Sequence, residues 1–120
     1  MGKNLRLGLL WATLTVLPLP VLAQTADSIG DIRCVAVGIR SAVMPDSHQK
    51  SNGTLLVLYY LGRLGGREPT LDIEKLLTDQ IKKMTEADYA SEATRCQKDL
   101  TTTGAQITRL GEDLQKRFTR

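Results

Sequence analysis

The sequence predicts an all-α fold: a small four-helix domain with a long C-terminal helix and one disulfide, behind a cleavable signal peptide. Three observations predict it. Apolar residues recur at helical spacing in three stretches and run together in a fourth. Capping and breaking residues stand at the ends of those stretches. The 120 residues contain only two cysteines, Cys34 and Cys96.

Residues 1–23 read as the signal peptide. Lys3 and Arg6 precede an apolar run from Leu7 to about Leu17, and Val21 and Ala23 suit the −3 and −1 positions of a cut before Gln24. Pro18 and Pro20 end the run, and Thr13 and Thr15 interrupt it, so it falls short of the roughly 20 apolar residues of a membrane span. Residues 24–120 then form a single helical domain, with no stable membrane anchor after cleavage, in a periplasm or outside the cell.

The first helix is expected over Ile29–Met44, with Ser28 as cap, Asp31 three residues on as its capping partner, and Ile32, Val35, Ala36, Ile39 and Val43 on one face. Pro45 stops it, and Pro45–Asn52 reads as a polar connection. The second segment, Thr54–Leu64, holds seven consecutive apolar residues from Leu55 to Leu61, which fit either a buried strand or a helix. Leucine dominates it and no partner strand exists, which favours a helix; apolar all round, it should be the most buried one. Gly62 would admit a neighbouring helix, and Gly65-Gly66 would end the segment in a left-handed cap. One of Tyr59 and Tyr60 should be core and the other lie at the rim.

In the third segment Thr70 is the expected cap, and Ile73, Leu76, Leu77, Ile81 and Met84 make one stripe. Thr85-Glu-Ala-Asp88 is a capping box opening the fourth, where Tyr89, Ala93, Cys96, Leu100, Thr103, Ile107, Leu110 and Leu114 repeat every seven residues. Such a helix should pack along its own domain. Gly104 and Gly111 either kink it or admit another helix.

An exported chain meets an oxidising compartment, so Cys34 and Cys96 are expected to form a structural disulfide. Their separation excludes a CxxC redox motif, and two cysteines with one histidine, His48, cannot build a closed zinc site. Without the leader the chain carries 14 basic and 13 acidic residues, too even a balance for a nucleic-acid binder that relies on phosphate neutralisation. Neither a metal nor a cofactor is expected.

No residues offer nucleophile, base and orienting group together. His48 sits among Asp46, Ser47 and Gln49, and neighbours in sequence do not converge as a triad must. Arg63 and Arg67, four apart, are the best candidate anion patch, although the segment lacks the Lys-Ser/Thr of a P-loop. Asn52-Gly53-Thr54 fits a glycosylation sequon, relevant only in a eukaryotic host.

An early helical cysteine, Cys34, tied to a later one in a charged helix, Cys96, resembles the architecture of the HdeA-type periplasmic acid-stress chaperones. Tyr59-Tyr60-Leu-Gly-Arg63 is similar to segments of small exported bacterial proteins of unassigned activity. The cysteines lie farther apart than in the chaperones, and the mature chain has no tryptophan. The resemblance implies client binding after acid-induced loosening. Charge permits it: protonating 13 carboxylates and His48 takes the mature chain from about +1 to about +15. The expected function is therefore a non-enzymatic helical binding protein of the bacterial envelope, a stress chaperone acting on a protein client. A dedicated inhibitor or immunity-like module is the alternative, and a small enzyme ranks third. Oligomeric state is left open.

Overall fold

The computed structural model describes residues 21–119. The signal-peptide reading lies outside them except for Val21–Ala23, which begin the first helix. The described residues form four helices: α1 (Val21–Ala42), α2 (Ser47–Arg67), α3 (Ile73–Lys83) and α4 (Glu86–Phe118). Among them no helix is long and apolar enough to cross a membrane.

Helix α1, rather than α2, is the centre. It packs against all three others and buries Ile32, Cys34, Val35, Ala36 and Val37. Its start is earlier than expected, so Ser28 is not a cap. It is buried inside the helix and donates a hydrogen bond to Glu68 Oε1 at 2.6 Å. Helix α2 covers α1 with one face only, through Gly53, Leu56, Tyr60 and Leu64. Leu55 and Leu58 on its other side are 54 % and 65 % exposed. Burial depends on how many neighbours a helix has, and a count of leucines does not report that.

The segment Thr54–Leu64 is helical, and its helix is longer than expected at both ends. Asp46 caps α2 by accepting from the Gln49 amide at 2.8 Å, so most of the expected connection is the helix's water-facing start. Gly65 and Gly66 stay helical; no described residue has a positive φ. Pro69 ends the helix instead, excluding helical geometry at Glu68, whose φ is −136°.

The glycines that matter for packing are Gly38 and Gly53. A Cβ built on Gly53 would lie 2.5 Å from the Gly38 carbonyl oxygen and 2.8 Å from the Ser41 carbonyl carbon. Here the backbones of α1 and α2 meet directly. A Cβ on Gly62 would meet nothing within 4 Å, so Gly62 admits no helix.

In α3 the cap is Asp72, not Thr70, accepting from the Lys75 amide at 3.0 Å. Ile73, Leu76, Leu77 and Met84 pack on the core, but Ile81 is exposed and Gln80 takes the inward place. The reason is polar: Arg33 on α1 donates its Nε to Gln80 Oε1 at 2.9 Å.

Helix α4 opens with the capping box between Thr85 and Asp88 and runs about 50 Å. It is unbroken through Gly104 and Gly111, and a Cβ on either would meet nothing within 4 Å. Tyr89, Ala93, Cys96 and Leu100 seat it on the core. From Gly104 to Thr119 every residue is exposed. The expectation that α4 packs along its own domain holds for its first half only, because the other helices end before it does. Cys34 and Cys96 form the disulfide, joining α1 to the packed half of α4.

Candidate functional site

Asp31 is the unexpected residue. It lies one turn before Cys34 on the inward face of α1, with a side chain only 3 % exposed. Arg63 and Arg67, one turn apart on α2, converge on it: Arg63 Nη2 lies 3.2 Å from Oδ1, and Arg67 Nη2 pairs with Oδ2. The anion these two arginines hold is therefore the protein's own carboxylate, and an external ligand would have to displace it.

The cluster extends to α4. Arg63 Nη1 donates to Asp99 Oδ2 at 2.6 Å and to the Tyr59 hydroxyl at 3.2 Å. Its guanidinium lies 5.5 Å from the Tyr59 ring centre and 5.3 Å from that of Tyr60. Tyr60, fully buried, donates to Asp99 Oδ2 at 3.0 Å; Tyr59 is half-buried at the rim, its hydroxyl 2.9 Å from Thr103 Oγ1. Burial and the bond to Asp99 push the Tyr60 phenol well above its ordinary value. Arg95 completes the layer, donating Nη2 to the Gly30 carbonyl at 2.8 Å and to Cys34 Sγ at 3.0 Å. Among the described residues no buried side-chain nitrogen or oxygen lacks a partner. These groups hold one another in place.

Burial pushes the Asp31 carboxyl up, against the downward pull of Arg63, Arg67 and Arg95. The folded state thus takes up a proton there before the unfolded chain does. Asp31 adds stability as the pH falls through its raised value and loses that contribution as the pH rises. Desolvation offsets the ion pairs, so an uncharged isostere should be tolerated. Asp31→Asn is expected to change stability by less than about 1 kcal/mol at pH 7 in urea unfolding, whereas Arg63→Met, which strips partners from two carboxylates, costs about 2 kcal/mol. A larger loss in Asp31→Asn than in Arg63→Met would contradict this balance.

The remaining candidates are dispersed. His48 is exposed in the first turn of α2, and the Asp46 carboxylate beside it is held by the Gln49 amide. Asn52 of the sequon is exposed within α2. Cys34, Cys96 and Glu92 are the one group of metal-ligand type among the described residues, but both sulfurs are in the disulfide. Glu92 is taken by Arg33 and Arg95.

Two surface features remain. One is a groove between α1, the start of α2 and the first half of α4. It holds adjoining cavities of about 330 and 310 Å³ that share Val37, Ser41, Gln49 and Ala93. At one end Arg40 lies 4.7 Å from the Tyr89 ring centre and binds both Glu86 carboxylate oxygens, at 3.0 and 2.7 Å. The other is the uncovered half of α4, where Ile107, Leu110, Leu114 and Phe118 are 65 %, 59 %, 41 % and 84 % exposed. The heptad repeat marked the first three of these residues, but gave no sign that they lack a neighbour. Comparison with protein-family models, curated proteins and solved structures finds no match for this chain.

Proposed function

We propose that this chain is a non-enzymatic binding protein of the bacterial cell envelope that holds a protein client on apolar helix surface, as a stress chaperone does. The observation that carries the reading is the uncovered stripe Ile107, Leu110, Leu114 and Phe118 on α4; Leu55 and Leu58 on α2 are exposed as well. Side chains of this kind in a row mark an interaction surface. The disulfide supports an oxidising compartment, because such bonds persist there. The only conventional general base, His48, stands exposed with its neighbouring carboxylate already occupied.

Acid acts on this fold at the start of α4. Arg40 holds Glu86 below its ordinary value, and the Thr85 amide and hydroxyl hold Asp88 below its own. The stability these two groups add is present above their ordinary values, near pH 4, and is lost as the pH falls through their lowered ones. Asp31 has the opposite sign, so the acid response belongs to the α4 cap and to overall charge repulsion, with the disulfide keeping α4 attached.

At pH 2–3 the oxidised protein is expected to bind more of an apolar dye than at pH 7 and to suppress aggregation of an acid-unfolded client. A closed fold at pH 2–3 without such suppression removes the chaperone reading. The defined groove favours the alternative, a dedicated inhibitor-like module; one stoichiometric partner recovered from envelope extract at neutral pH would establish it.

A further inference from the structure

We propose that two copies of this chain pair by reciprocal docking, the uncovered half of each α4 lying in the other's groove between α1, α2 and the first half of α4. The inference uses the same α4 stripe as the client reading but concerns the protein alone at neutral pH, where pairing would cover that stripe.

The occupant of the groove must come from another molecule. Because α4 is one unbroken helix, Leu110 stands roughly 25 Å along its axis from Ala93 in the groove, and Phe118 farther still. No chain can fold its own stripe back onto its own groove.

Length and shape match. The α4 side of the groove spans Glu86 to Gln97, and the stripe spans Ile107 to Phe118, each roughly 17 Å of helix. Ala90 and Ala93 are small enough for a helix to come close, and Val37, Met44 and Leu56 supply apolar walls. An amphipathic helix laid in such a groove anchors through residues three and four apart, which is how Ile107, Leu110, Leu114 and Phe118 recur.

Charge sets the direction. The first turn of α4 carries Glu86 and Asp88, and its last turn carries Lys116 and Arg117. An antiparallel arrangement brings the basic end of one helix to the acidic start of the other. Arg40 already offsets Glu86, and Asp113 lies 3.8 Å from Lys116, which leaves Arg117 against Asp88 as the principal attraction. The pairing uses the same two patches on both copies, so it closes as a two-fold dimer and does not propagate.

Every residue from Gly104 to Thr119 is exposed, so this stretch of α4 gains no packing within its own chain, and its two glycines lower its helix propensity. Docking supplies the missing support.

The test is light scattering after size exclusion at pH 7, with circular dichroism to confirm folding. The wild-type protein is expected to be a dimer. Leu110→Glu on the stripe and Ala90→Glu in the groove, both at exposed positions, should each raise the dissociation constant at least about tenfold. Mixing the two variants should restore pairing, because the mixed dimer keeps one intact stripe in one intact groove. A monomeric wild type overturns the proposal. So does a dimer weakened by Leu110→Glu but not by Ala90→Glu, or a mixture no tighter than its components; either result would mean that the stripes pair with each other.

Discussion

Replacing Cys34 and Cys96 together with alanine is expected to lower the unfolding free energy by about 4 kcal/mol, the largest effect of any change considered. The bond closes a loop of 62 positions, and closure of that size removes much of the denatured chain's freedom. Both sulfurs are fully buried, so the loss of their packing adds to the entropic term. A domain of this size has about 5–10 kcal/mol in total, and its melting temperature should fall by about 20 °C. Urea unfolding of the oxidised protein against the double alanine variant measures the difference. A loss below about 1 kcal/mol would mean that the denatured chain is already compact without the bond.

The cysteine pair was legible because arithmetic suffices: two cysteines in a chain expected to meet an oxidising compartment leave one pairing. The Thr85 box was legible because its information lies within four residues. The start of α2 was equally local, since Asp46 followed by Gln49 three positions later is a cap pattern. It was obscured because the first turns of α2 face water and so carry the polar composition of a loop. Ser28 and Thr70 misled for a related reason: each is a good cap by type, but Ser28 is buried within α1 and Asp72 supplies the α3 cap.

The site was harder to read because its members are far apart in sequence. Arg63 and Arg67 drew notice as an anion patch, and an anion does sit there, but it is Asp31, 32 and 36 positions away. Nothing local marks Asp31 as buried beyond its place one residue before Ile32 on an otherwise apolar face. The groove is still less visible, because three helices form it and its lining residues are ordinary ones. The uncovered half of α4 has the same periodicity as the covered half. Only the lengths of the neighbouring helices tell them apart.

The glycines show the same limit in energetic terms. Gly53→Ala should destabilise the protein by about 3 kcal/mol even though alanine is favoured in a helix by about 1 kcal/mol. The new methyl would stand 2.5 Å from the Gly38 carbonyl oxygen and 2.8 Å from the Ser41 carbonyl carbon, with the Ala42 amide nitrogen closer still. All three atoms are backbone, so no side chain can swing away. Either α1 and α2 separate near their short connection or the end of α1 distorts. Either change loosens the packing of Val37 and Leu56, both of which are core residues lining the groove. Gly62→Ala is the matched control on the same helix. With nothing within 4 Å of its Cβ, it should gain up to about 1 kcal/mol from helix propensity alone. Thermal unfolding of the two single variants separates the readings. Opposite signs are expected, and a stabilising Gly53→Ala would show that the two backbones do not meet as described.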